Sequence, residues 1–278
     1  MKFINASVEI CPQEEGIEGI YKQIERAGRV SYKSEDKITE DSAKEFIERL
    51  ISNKHGAVLE FGTVYLKMEW NTTKVDECVA SIKYYKNPFS KVRYVLTERN
   101  HLIAYITTNY RVLVENEWLD DLKYLCEPTK DHYLRVCTRW VCSRGISHEL
   151  VRHRSMSFLQ ESQRFCNYSK GKFCSEITYI IPSYLESQEE GEKIESTEIF
   201  INALKAAEDS YLTLIEQGWK PQQARDVLPN ATKTELYVCG FIDDWKHFFE
   251  LRCAPNAHPD MQVLAKDLQQ KFLVNKLI

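Results

Sequence analysis

The segment Ser147-His148-Glu149-Leu150-Val151-Arg152-His153-Arg154, continuing from Ser155 to Gln160-Glu161-Ser162-Gln163-Arg164, gathers the chain's densest set of chemically active side chains. Between Arg139 and Arg164 stand five arginines and two glutamates, a local +3 in a chain of net charge −4. Five serines are interleaved with them. A guanidinium presents a planar fork of donors that matches phosphate and carboxylate oxygens, and hydroxyls complete such sites. The composition points to an anion site. A solvated basic face with arginines paired to surface carboxylates has the same composition, and the segment alone does not separate the two.

What surrounds this segment narrows the chemistry. The ten glycines contain no Gly-x-Gly pair, so the Gly-x-Gly-x-x-Gly dinucleotide turn and the Gly-x-x-x-x-Gly-Lys phosphate loop are both absent. Any nucleotide or flavin must therefore be held without the usual Gly-rich cradle. The nine cysteines (11, 78, 126, 137, 142, 166, 174, 239 and 253) include no Cys-x-x-Cys, which argues against a zinc site, and no metal is expected. They read as reduced thiols of a cytoplasmic protein, mostly buried as small apolar residues. No apolar run reaches the length of a membrane span, and residues 1–16 lack a secretory pattern. The acidic balance argues against nucleic acid as a partner.

The motif Arg152-His153-Arg154-x7-Ser162-x-Arg164 resembles the signature of the flavin-dependent thymidylate synthases. Arg29-Val30-Ser31, His55-Gly56-Ala57-Val58-Leu59-Glu60, Ala224-Arg225-Asp226-Val227-Leu228-Pro229, Trp245-x-His247-Phe248-x-x-Leu251-Arg252 and Ala257-His258-x-Asp260 resemble further blocks of that family, in the family's order. Phe61 and Ala57 depart from a frequent His and Ser or Thr, Phe165 from a frequent Tyr, and Phe241, Asp243 and Asn256 from polar residues of some members. The resemblance implies conversion of dUMP to dTMP, with methylenetetrahydrofolate as one-carbon donor and NADPH-reduced FAD as hydride carrier. It implies a dUMP set of Glu149, Arg152, Glu161, Ser162, Gln163, Arg164, Arg225 and Arg252. It also implies a FAD set of Ser31, His55, Arg152, His153, Arg154, Gln160 and His247. Arg252 is the implied catalytic residue. A guanidinium stays charged and does not accept a proton, so it would stabilise negative charge on the pyrimidine. A homotetramer with shared active sites is implied as well. Two readings compete: a folate enzyme with Cys166 as nucleophile, and an RNA-binding module using arginines and stacked aromatics.

The elements that must position these residues follow from periodicity. Ile17, Ile20, Tyr21, Ile24 and Ala27 share a helical face that Gly28 closes, and Thr39 caps a second helix with Ala43, Phe46, Ile47, Leu50 and Ile51 inward. Strands are expected at 64–70, 102–107, 133–141 and 177–181, and a helix at 113–126. Ser147 is expected to cap a helix with Glu149 in its first turn. Residues 188–195 read as a charged loop. Helices follow at 200–215, from Pro221 towards Pro229, at 243–252 and at 259–273. The order lacks a βαβ rhythm. The expected fold is α+β, a short antiparallel-type sheet with several packed helices and no Rossmann motif, in a single domain over 1–278 with an insertion at about 70–130.

Overall fold

The computed structural model describes residues 1–171, 175–185 and 190–278. In chain order they form β1 (Lys2–Ile4), β2 (Ser7–Ile10), α1 (Gly16–Tyr32), α2 (Ser42–Ser52), α3 (Gly56–Leu59), β3 (Thr63–Asn71), α4 (Val75–Ser81), β4 (Lys91–Leu96), β5 (His101–Asn109) and α5 (Tyr110–Glu115). There follow β6 (Arg135–Ser143), α6 (Arg144–Leu150), β7 (Ser157–Gln160), β8 (Thr178–Ile180), α7 (Glu190–Glu216), α8 (Pro221–Ala224), β9 (Lys233–Phe241), α9 (Ile242–Arg252) and α10 (Pro259–Val274). The fold is α+β.

The central sheet is antiparallel, in the order β2-β6-β9-β7. Every residue of β9 from Thr234 to Phe241 is buried, because both sheet faces are covered. Leu236 and Val238 point with Trp140 into a core built by Trp245, Phe248 and Phe249 of α9 and Leu268 and Phe272 of α10. Tyr237 and Cys239 point the other way, against Ala27 and Val30 of α1 and Phe61. This is the period-2 alternation of a strand, hidden in the sequence because neither face is polar. Each such aromatic or aliphatic side chain removed from water contributes about 1.5–3 kcal/mol.

A second antiparallel sheet, β3-β5-β4, pairs Thr63 with Asn109 through to Asn71 with His101. Ile20 and Ile24 of α1 and Phe46, Ile47 and Leu50 of α2 cover it. Residues 70–130 thus complete a sheet and core with β3. Helix α1 serves both cores, one through Ile20 and Ile24 and the other through Ala27 and Val30. A third small core joins the parallel pair β1-β8 to α7 and α8 through Tyr179, Leu204, Tyr211 and Ala224.

Several expected boundaries move. Helix α1 runs past Gly28 to Tyr32 and ends at Lys33, whose φ of 50° is left-handed. Gly28 lies inside because a Cβ there would stand 2.7 Å from the Phe46 ring, so the residue serves helix–helix approach rather than capping. The second helix begins at Ser42 after Asp41, and the Thr39 amide donates to Ser42 Oγ instead of Thr39 capping it. The expected helix at 113–126 breaks into α5 and a 3₁₀ segment, Leu119–Tyr124, with Glu117 left-handed between them (φ 63°). Ser143, not Ser147, caps α6: its hydroxyl accepts from the Ile146 amide. Glu149 consequently falls in the last turn, where the helix dipole disfavours it and a cation must hold it. Of the charged loop expected at 188–195, residues 188 and 189 lie outside the described residues and α7 begins at Glu190. Cys137 and Cys239 face each other in register and form a disulfide, which corrects the reading of all nine cysteines as reduced thiols. Among the described residues, no helix is long and apolar enough to cross a membrane.

Candidate active site

Two clusters gather most of the expected residues. The first lies where α6 meets the end of α9. Arg252 Nη1 donates to Glu149 Oε2 at 2.8 Å, Nη2 to the Glu149 carbonyl at 3.0 Å, and Nε to His153 Nε2 at 3.0 Å. The cation that Glu149 needs at its helix terminus is therefore Arg252. His153 is buried and lies edge-on to Phe248, with ring centroids 5.0 Å apart. Burial first, then the charges of Arg252 and His247, push its pKa from 6.5 down to about 4. A neutral ring with a lone pair on Nε2 is what the Arg252 bond requires. Three of the five guanidinium N–H groups are thus spent on orientation, and two remain to meet a ligand. A cavity of about 480 Å3 opens beside Glu149, lined also by Tyr184, Asn230, His258 and Asp260.

The second cluster lies at the end of β7. The Ser162 amide donates to the Ser31 carbonyl at 3.0 Å, tying the turn of residues 161–164 to the last turn of α1. Glu161 is buried, with Oε2 2.9 Å from Lys233 and 3.9 Å from Lys33. Its carboxylate is occupied within the protein and holds the turn from beneath. Glu235 adjoins, bound by Lys33 at 2.6 Å, by Arg139 at 2.8 Å and by Lys233. Burial raises the Glu235 pKa, but Lys233 and Lys33 outweigh it and hold the carboxyl well below the usual range. The left-handed backbone of Lys33, costing about 1 kcal/mol or more, aims its amine into this network. Above it, Gln163 is buried beside the Tyr168 hydroxyl, and Arg164 is exposed with its guanidinium 5.2 Å from the centre of the Phe165 ring. Arg225 follows α8, half-buried, with its Nε 4.0 Å from the Asp226 carboxylate.

The remaining residues stand around these clusters. Gln160 Nε2 donates to Ser147 Oγ at 2.9 Å and Thr234 Oγ1 at 3.1 Å, linking α6 to the sheet. Arg152 and Arg154 are exposed, without a side-chain partner among the described residues. His247 is exposed on α9, 3.5 Å from Glu250. His55 precedes α3, exposed, and no contact among the described residues joins it to either cluster. Phe61 is fully buried edge-on to Tyr237, and Asp243 pairs with Lys91 at 2.9 Å, so these two departures serve packing and surface pairing.

The donor set fits FAD. Its pyrophosphate needs cations and its ribityl chain hydroxyl partners, and no Gly-rich loop supplies either. Arg152 and Arg154 offer uncommitted guanidinium groups, and the buried Ser31 hydroxyl has no hydrogen-bond partner among the described residues. A buried orphan hydroxyl costs about 1–3 kcal/mol unless something satisfies it.

Lys33, Lys233, Glu235 and Arg139 escaped the motif reading. The signal available was Lys233-x-Glu235, two charges on one face of a strand otherwise apolar.

The arginine-rich end of the antiparallel sheet, with cations oriented by hydrogen bonds and no Gly-rich turn, belongs to an α+β fold. Residues 133–273, half of the chain, match the family described as thymidylate synthase complementing protein, and the chain belongs to that family. It is 33 % identical over 126 residues to a flavin-dependent thymidylate synthase of Geobacter sulfurreducens, covering 45 % of this chain and 50 % of that one. A Corynebacterium aurimucosum protein of the same name is 35 % identical over 154 residues, covering 52 % and 61 %. The chain spans about half the length of the curated relatives it matches. Among solved structures, a UMP/dUMP methylase PolB from Streptomyces cacaoi, bound with 5-Br dUMP, aligns with a TM-score of 0.47 at 16 % identity, over 98 % of this chain and 92 % of that one.

Proposed function

We propose that this protein is a flavin-dependent thymidylate synthase that converts dUMP to dTMP. The observation that carries the reading is Arg252, fixed by Glu149 and His153 with two donors left over, inside the segment that matches the family. Arg252 stabilises charge developing on the pyrimidine, as a preorganised cation whose orientation is settled before substrate arrives. A guanidinium offers donors and no acceptor, so Arg252 is no general base. Ser162, Arg164 and Arg225 bind the phosphate of dUMP. Glu161, locked on Lys233, keeps the turn that carries Ser162 and Arg164 in place, with Gln163 beside it.

When bound, FAD reduced by NADPH would supply the hydride, and methylenetetrahydrofolate the one-carbon unit. Ser31, Arg152, His153 and Arg154 would hold the flavin, joined by His55, Gln160 and His247. The exposed guanidiniums of Arg152 and Arg154, and the lack of any contact among the described residues that joins His55 to either cluster, support a homotetramer in which sites are shared between copies. A cytoplasmic location accords with such a substrate. Cys166 is 3 % exposed, which weighs against a nucleophile's role.

Absorbance titration of the purified protein with FAD tests the assignment. A saturable, perturbed flavin spectrum that sharpens on adding dUMP is expected. Folded protein that leaves the flavin spectrum unchanged would overturn it.

A further inference from the structure

Neither the hydrogen bonds around Glu149 nor the ion pairs around Glu161 involve Arg144. Arg144 is the first residue of α6, and the topology carries it to the end of the sheet that bears the phosphate-binding turn. Strands β6 and β7 finish at that end and β9 begins there, with Ser143 opposite Lys233 and Gln160 opposite Leu236. The Arg144 amide donates to the Thr232 carbonyl at 2.9 Å and the Gly145 amide to that of Asn230 at 3.1 Å. Arg144 is thereby docked on the loop that follows the Arg225 turn. On the other side of β9, the Glu161 amide donates to the Glu235 carbonyl at 2.8 Å, which sends Ser162 to Arg164 off the same end.

The charges at this end do not balance. Glu161 is taken by Lys233, and Glu235 by Lys33, Lys233 and Arg139. Arg144 is half-buried, and its guanidinium has no hydrogen bond or ion pair among the described residues. It lies close enough to Arg225, Tyr168 and Glu161 for their charges to act on it, and burial pushes its ionisation below the ordinary range. A partly desolvated guanidinium beside a second one is costly unless an anion joins them.

We propose that Arg144 is a third phosphate-binding arginine, which closes with Arg164 and Arg225 on the phosphate monoester of the nucleotide substrate. This rests on the reading that dUMP binds at the Ser162–Arg164 turn. A monoester dianion has enough oxygens for three guanidinium groups, and Arg144, like Arg225, is half-buried while Arg164 is exposed. The other two cations nearby, Lys33 and Lys233, are spoken for by carboxylates.

Calorimetric titration of the FAD-loaded full chain with dUMP and with deoxyuridine tests this, using the unmodified protein, Arg144→Met, Arg144→Lys and Arg164→Ala. Arg144→Met should weaken dUMP binding about 10- to 100-fold, the scale of hydrogen bonds to a charged group, and leave deoxyuridine binding unchanged. Arg144→Lys should recover part of the loss, since charge returns without the fork. If Arg144→Met fails to fold, the Lys variant decides alone: a severalfold loss for dUMP only supports the proposal, and no change overturns it. Equal loss of dUMP and deoxyuridine overturns it too, as does unchanged dUMP binding in Arg144→Met while Arg164→Ala is impaired. An unmodified protein that binds both ligands equally would refute the dUMP reading itself, and the proposal with it.

Discussion

The His153–Arg252 bond makes a quantitative prediction about acid. His153 accepts from Arg252 Nε at 3.0 Å and is therefore neutral, and its pKa is pushed down to about 4 from 6.5. Above 6.5 the ring is neutral in both folded and unfolded chains and contributes no pH dependence. As pH falls through 6.5, the unfolded chain takes up a proton that the folded one refuses, so stability drops by about 1.4 kcal/mol per pH unit. The loss stops near pH 4, where the folded protein protonates as well, and totals about 3 kcal/mol. At about pH 5 roughly 2 kcal/mol has gone. His153→Gln keeps an acceptor near the Nε2 position but cannot titrate. Urea unfolding of both proteins near pH 7.5 and near pH 5 isolates the term, because every other group titrates in both. The unmodified protein should lose about 2 kcal/mol more than the variant. Equal losses would show that His153 titrates normally and that the Arg252 bond is not what orients it.

Two further outcomes follow from the same clusters. Arg252→Lys keeps the charge but not the three-way grip on Glu149 and His153, so turnover should fall about 10²-fold or more in steady-state assays, with a smaller loss in dUMP affinity. Lys233→Met strips the nearest cation from the buried Glu161 and leaves Glu235 to Lys33 and Arg139; thermal and urea unfolding should register a loss of about 3 kcal/mol, and a loss under about 1 kcal/mol would show the network to be solvated.

The parts of the fold legible in sequence were those where one face meets water. Strand β3, half of α1 and the helices α9 and α10 lay close to their expected bounds, because their apolar spacing is periodic. The ends were read less well. Gly28 looks like a stop only until Phe46 is seen packed against it, and Ser147 looks like a cap although Ser143 stands four residues earlier with the same chemistry. At the site, motif spacing named Glu149, His153 and Arg252 without showing that they form one hydrogen-bonded group. The residues that spacing could not reach come from remote parts of the chain. Lys33 and Lys233 meet Glu161 and Glu235 only because β7 and α1 are both laid on β9. Opposed cysteines 102 residues apart are equally invisible before the β6–β9 register is known.

A flavin that carries the hydride to the pyrimidine, in a site this chain orients and charges, is reoxidised as product forms. Single-turnover mixing without oxygen, in which FAD-loaded protein already reduced by NADPH meets dUMP and methylenetetrahydrofolate, reads this directly. Oxidised-flavin absorbance should return as dTMP appears, one for one, and omitting either substrate should prevent the coupled change. Formation of dTMP with the flavin still reduced, or flavin oxidation with no dTMP, would contradict it.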